Sequence, residues 1–272
     1  MIPYQAGQLG LSQARAADGL YTDQGVFVPF SAVQLQTSYA TSLADFSNFA
    51  ATATKLGTHT DLASGTGPFG GSSLHSAAGA SFPYQEYVSY SRASQQGLGG
   101  ATEFTVDAWI NPDVGANFAN KGIVGQFAVT LTYPETQYML LTNGASGSDV
   151  SLLFEMHNNV PGAVLYALGG STGCLMGQWN HIRVSHRVNP STGLAECRWF
   201  VNGVFKQLIS AASHPIYETA ATIPHQVGVF FRGTGTDSRF PGYIGPIRVI
   251  KGYALNTTNS NIVVPSTYFP VY

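Results

Sequence analysis

The chain has 272 residues, with 12 Lys+Arg against 14 Asp+Glu, a net charge of -2, and only 10% of its residues charged, where an average domain carries about 25%. So little cationic surface excludes a basic nucleic-acid-binding protein, because phosphates would go unneutralised. No apolar stretch is long enough to span a bilayer, so no membrane insertion is expected, and the length suits one large domain with a sizeable core.

The N-terminal stretch comes first. Residues 1–30 carry Gln5, Gln8, Gln13 and Gln24 among scattered apolar side chains, without a sustained period of two or 3.6. They lack the basic start and apolar run of a signal peptide. The reading is an extended arm over residues 1–34. Its apolar side chains Ile2, Tyr4, Leu9, Leu11, Leu20 and Phe27 would hold it against its own domain or anchor it to a partner subunit. Residues 35–272 then form the folded domain.

Ser31 to Thr60 reads as a first strand or two, with Phe46 and Phe49 as core anchors. FGGSSL, from Phe69, and the run from Tyr87 to Tyr90 give the next strands, and Gly70 and Gly71 permit a positive-φ turn. In ATEFTVDAWINP, ending at Pro112, Phe104, Val106, Ala108 and Ile110 share one face and Thr105, Asp107 and Trp109 the other. GIVGQFAVTLTY, QYMLLTNG and DVSLLFEMHNN give three more strands, with turns marked by Asn143-Gly144 and Pro161-Gly162.

QWNHIRVSHR places Trp179 and Ile182 in the core, and CRWFVNG closes on an Asn202-Gly203 hairpin turn. In FPGYIGPIRVIKGYAL, residues 240–255, period two puts Tyr243, Gly245, Ile247, Val249 and Lys251 on one face and Ile244, Pro246, Arg248 and Ile250 on the other. A strand apolar on both sides belongs inside a sandwich. The tail, NIVVPSTYFPVY, should lie extended along an edge. With 31 Gly, about a dozen short strands and no amphipathic helix or internal repeat, the fold class is an all-β antiparallel sandwich.

Several of these segments carry a resemblance. FGGSSL, FTVDAWINP, the W-x-H-I of QWNHIRVSHR, CRWFVNG and GYIGPIRVIKGYAL together resemble the laminin-G-like, concanavalin A-like lectin-glucanase jelly rolls of tailed-bacteriophage virion proteins. The resemblance covers roughly residues 35–270 and departs at Gly245-Pro246, where that family usually has an acid after GYI. It implies a concanavalin A-like jelly roll in a non-enzymatic virion structural protein, a capsid decoration or other accessory subunit at the virion surface. The alternative is a carbohydrate-binding receptor-recognition module of a tail or tail fibre. The implied partners are other virion proteins, of capsid or tail, with host-surface glycan and a second copy of the chain as further candidates.

Catalytic chemistry is sparse. Laminarinase-type sandwich glucanases align carboxylates as E-x-D-x-E on one strand, and no such run exists here. The nearest acids, Glu103 and Asp107, read as rim groups near water. His181 and His186 are five apart, so a regular strand sends them to opposite faces and they cannot share a metal. Cys174 and Cys197 read as free and packed, and Gly97 to Gly100 does not open a helix, so it is no phosphate cradle.

No catalytic residue and no cofactor is expected. The loop acids Asp113, Asp149 and Asp237 are calcium candidates, since many laminin-G-like domains bind calcium at a rim, but none is assigned as a ligand. Candidate glycan-binding residues are Tyr133, Tyr138, His157, Asn158 and Asn159, which combine aromatic faces with hydrogen-bonding groups.

Overall fold

Side-chain alternation along FTVDAWINP decides which way its strand faces: Phe104, Val106, Ala108 and Ile110 all enter the main core, and Thr105 and Asp107 point away from it. The computed structural model describes residues 20–23, 26–39, 42–47, 50–56, 60–76, 87–91, 97–127, 136–157, 163–169, 171–212, 223–229 and 239–267. Among them the chain forms seventeen strands. The N-terminal ones are β1 (Leu20–Asp23), β2 (Val26–Pro29), β3 (Val33–Thr37), β4 (Ala53–Leu56), β5 (Thr60–Ala63), β6 (Ser73–Ser76) and β7 (Tyr87–Tyr90). Then come β8 (Phe104–Pro112), β9 (Ala119–Phe127), β10 (Thr136–Ser146), β11 (Asp149–His157) and β12 (Ala163–Leu168). The last are β13 (Asn180–Val188), β14 (Leu194–Val201), β15 (Val204–Ala212), β16 (His225–Val227) and β17 (Gly242–Lys251).

Two sheets stack as a sandwich. A seven-stranded sheet has the order β12-β11-β10-β9-β16-β7-β4, and an eight-stranded sheet runs β15-β14-β13-β8-β17-β6-β5, with β3 also pairing β17. The strand pairings are antiparallel. Between the sheets, Tyr138, Leu140, Leu152 and Phe154 meet Phe104, Val106, Ile182, Val184, Trp199, Ile247 and Val249, and the Phe104 and Phe154 rings lie 5.5 Å apart. Each fully buried aliphatic or Phe side chain contributes about 1.5–3 kcal/mol. Outside the seven-stranded sheet, Met139, Leu141 and Leu153 join Tyr87, Phe127 and Val229 in a second buried cluster.

The hairpin between β14 and β15 turns at Asn202 and Gly203, with φ of 51° and 78°, the two positive values that a two-residue type I′ turn requires. Cys174 and Cys197 are free and buried. His181 and His186 do part to opposite faces, His186 stacking on core Phe104 and His181 lying beside Asp107.

Several expectations are corrected. β17 does not alternate throughout: its register against β8 shifts between Ile244 and Ile247, a bulge at Gly245-Pro246 that returns Ile247 to the core face beside Ile244. Asn143-Gly144 is no turn, because β10 continues through it with a register shift. Trp179 stays half-buried at the surface, held by its indole N–H on Thr66 O at 3.1 Å. Phe46 is half-buried, since its segment is organised around buried Asp45, whose carboxylate accepts the backbone N–H of Gln36, Ser47 and Ala51. Phe49, like Pro161-Gly162, lies outside the described residues.

Part of the N-terminal stretch is regular. β1 and β2 form an antiparallel pair, β3 runs across residues 34 and 35 to pair with β17, and Val28 packs with Ala32, Val33, Ile250 and Leu255. In the tail, Ile262 N–H donates to Gly203 O at 2.8 Å, so the chain does run along the β15 edge there.

Candidate functional site

Asp107 sits at the middle of β8 with 0% exposure, not at a rim near water. Alternation turns it away from the main core, and cross-strand pairing places Arg183 of β13 and Arg248 of β17 on either side of it. Arg183 Nε donates to Oδ1 at 2.5 Å and Nη2 to Oδ2 at 3.1 Å; Arg248 Nη2 donates to Oδ2 at 2.7 Å. Burial alone would raise this carboxyl's pKa, but Arg183 and then Arg248 outweigh it and hold it well below the usual range. His181 Nε2 lies 3.3 Å from Oδ1, and burial keeps its imidazole below the ordinary value.

A strap shuts this cluster from solvent. After β17 the chain crosses the outer face of the eight-stranded sheet strand by strand. Leu255 N–H donates to Thr105 Oγ1 on β8, and Asn256 Oδ1 accepts from Arg183 Nη1 on β13. Asn259 Oδ1 accepts from Arg198 Nε on β14, and Asn261 Oδ1 from Phe205 N–H on β15. At its end β14 adds a further cluster: Glu196 accepts from Arg187, Arg198 and Asn189. Burial would raise Glu196, yet these partners bring it down to about 2.

The strap leaves the other end of the same face open. Leu74, Ile244 and Ile110 are core residues paired across β6, β17 and β8. Their neighbours His75, Tyr243 and Asn111 therefore form a cross-strand row on the outer face. His75 and Tyr243 stack with centroids 4.3 Å apart and planes 25° from parallel. All three are partly exposed, as are Trp179, which lies over Gly245 two residues along β17 from Tyr243, and Phe69, which packs on Trp109 two residues along β8 from Asn111. Phe69 meets Trp109 edge-on at 5.1 Å. A Cβ at Gly245 would lie 3.1 Å from Pro68, Trp109 and Trp179 atoms, so the missing side chain lets Pro68 and the two indoles pack directly on β17.

Of the residues expected to bind glycan, Tyr138 is not part of this row. Tyr138 is buried in the main core, its hydroxyl 3.0 Å from His225 Nδ1, and presents no face to a sugar. His157 ends β11 opposite Ala163, while Tyr133, Asn158 and Asn159 lie outside the described residues. Of the arm residues, Leu20 and Phe27 belong to β1 and β2, and Ile2, Tyr4, Leu9 and Leu11 are outside the described set. Of the loop acids, Asp149 accepts hydrogen bonds from Thr172 N–H at 3.1 Å and Gly173 N–H at 3.0 Å, Asp113 is half-buried, and Asp237 is not described. Among the described residues no three His, Cys, Asp or Glu side chains group as metal ligands.

The row at Tyr243 was legible only in part. Each member is the outward neighbour of a core residue in L-H-S, G-Y-I and I-N-P, but nothing in the sequence tells which strands lie side by side.

Two antiparallel sheets packed face to face around an aromatic and aliphatic core make this a lectin-like sandwich protein. The family model for the concanavalin A-like lectin/glucanases superfamily, in its laminin-G branch, matches residues 85–259, most of the chain, and the chain belongs to that family. No curated protein matches the sequence. Among solved structures, the botulinum neurotoxin serotype C1 binding domain is 12% identical with a TM-score of 0.50, over 82% of this chain and 49% of that one. The enzymatically active domain of bacteriophage CBA120 tailspike protein 2 is 13% identical with a TM-score of 0.46, over 75% and 29%. The Ruminococcus gnavus IT-sialidase CBM40 bound to α2,3-sialyllactose is 12% identical with a TM-score of 0.42, over 56% and 76%. At these identities the likeness is one of fold alone.

Proposed function

We propose that the chain is a non-enzymatic, lectin-like subunit at the surface of a tailed-bacteriophage particle. Its sandwich binds host-surface glycan, and its N-terminal residues attach it to a capsid or tail protein. The observation that carries the non-enzymatic reading is the state of Asp107. A glycosidase working with two carboxylates needs both facing one cleft, with one of them protonated to act as the acid. Here the carboxylate of β8 is fully buried, ion-paired to two guanidiniums and covered by the strap, so it holds a charge and reaches no substrate. Glu103 precedes the strand, and its carboxylate accepts a long hydrogen bond from Ala254 N–H at 3.4 Å. With its strand acid committed to structure, the sandwich is left with recognition. The FGGSSL, FTVDAWINP and GYIGPIRVIKGYAL segments support the bacteriophage setting.

The test mixes the full-length chain with host-surface polysaccharide and, separately, with disassembled particle proteins. Saturable retention on polysaccharide without new reducing ends is expected, as is capture of a capsid or tail protein that is lost when residues 1–19 are removed. The truncation stops there because Val28 belongs to a buried cluster. Reducing ends appearing above a protein-free blank would make the chain an enzyme; no retention would end the glycan reading, and capture without residues 1–19 the attachment.

A further inference from the structure

We propose that the open end of the eight-stranded sheet's outer face is a subsite for an uncharged pyranose, formed by Phe69, His75, Asn111, Trp179 and Tyr243. The inference rests on the glycan-binding reading above and says where that binding occurs.

Exposure picks out the place. On the same face, Thr105, Asp107 and Arg183 are 0% exposed beneath the strap, whereas Asn111, four residues beyond Asp107 along β8 and about 13 Å away at 3.3 Å per residue, is partly open, as are its four companions. The outer face of the seven-stranded sheet offers no such opening at its apolar cluster, where Phe127, Met139, Leu141 and Leu153 are buried.

Chemistry picks out the ligand. A sugar ring presents apolar C–H edges and a girdle of hydroxyls, and sites for it combine aromatic surface with a few hydrogen-bonding groups. The patch offers both. Tyr243 and Trp179 supply rings already held in place, one stacked on His75 and the other tied to Thr66 O, so little side-chain freedom is lost on binding. Among the described residues, the Asn111 amide, the His75 imidazole and the Tyr243 hydroxyl have no hydrogen-bond partner within the chain, which leaves donors and acceptors for hydroxyl groups.

Charge narrows the class. Among the described residues no lysine or arginine belongs to the patch, whose side chains are those of Phe69, His75, Asn111, Trp179 and Tyr243. A carboxylated or phosphorylated sugar would meet no described cation there, so the patch suits neutral hexoses better than acidic sugars.

The experiment measures binding of the full-length chain to dextran, mannan and galactan, with polysialic acid as the anionic comparison. Wild type should bind at least one neutral polymer, with a change in tryptophan emission that Trp179→Phe abolishes. Tyr243→Ala and Asn111→Ala should weaken that binding tenfold or more with melting temperatures near wild type. Tyr243→Phe, which keeps the stacked ring, should weaken it less, and His157→Ala not at all. If Tyr243→Ala and Asn111→Ala bind within twofold of wild type, the glycan reading stands and this site is wrong. Binding of polysialic acid alone overturns the neutral class, and wild-type binding to none of the four overturns this site, while the glycan reading falls only if host-surface polysaccharide is not retained either.

Discussion

Arg183 Nη1 donates to Asn256 Oδ1 at 2.8 Å across 73 residues of sequence, and the same guanidinium grips Asp107 with Nε and Nη2. One side chain thus joins the sheet to the strap. Asn256→Ala removes an acceptor from a buried charged donor and should cost about 1–3 kcal/mol. Asn256→Asp, which brings a negative charge to a cluster of two arginines and one aspartate, should stay within about 1 kcal/mol of wild type. Urea midpoints of the two variants check this, and equal losses would mean that the strap is held by packing rather than by this bond.

Asp107→Ala should be more damaging. It leaves Arg183 and Arg248 buried without their counter-charge, a situation that costs about 3–5 kcal/mol. Chemical denaturation measures the loss. A change under 1 kcal/mol would mean that water or another acid reaches the two guanidiniums.

Acid should weaken the fold in a defined window. Burial pushes the His186 imidazole from 6.5 down to about 4, and His181 moves in the same direction. Between those values the unfolded chain binds protons that the folded one refuses, so stability is full above pH 6.5 and falls as the pH drops toward 4. The loss from His186 alone should be roughly 3 kcal/mol. Glu196, held down to about 2, adds a second decline below its ordinary value of 4.5. Urea unfolding from pH 7 to 3 reads both, and His186→Phe should flatten the upper part only.

Local alternation carried most of the fold. Phe104, Val106, Ala108 and Ile110 were readable as a core face because a strand sends every second residue the same way, and Asn202-Gly203 because few residue pairs accept two positive φ values. What escaped was long-range. Asp107 looked like a rim acid because its partners come from β13 and β17, 76 and 141 residues away. His75, Asn111 and Tyr243 were invisible as a group for the same reason: sheet order, not spacing, puts β6, β17 and β8 together. The bulge in β17 was hidden too, since Gly245 and Pro246 fit a period of two until the register is known.

Gly245 stands where the laminin-G resemblance leads one to expect an acid, and the structure leaves little room there for any side chain. A Cβ there would lie 3.1 Å from each of Pro68 Cδ, Trp109 Cβ and Trp179 Cζ3, closer than such contacts normally run, in a buried position on the bulge. The atoms in the way belong to a proline ring, a backbone-anchored Cβ and an indole fixed by its bond to Thr66, none of which swings aside freely. Gly245→Ala should therefore destabilise by about 1–3 kcal/mol through overpacking. Gly245→Asp should lose more, because it adds a carboxylate among Pro68, Trp109 and Trp179, where no described cation waits for it. Thermal melting of the two variants tests the order. An aspartate variant at least as stable as the alanine one would mean that the aromatic wall opens to water.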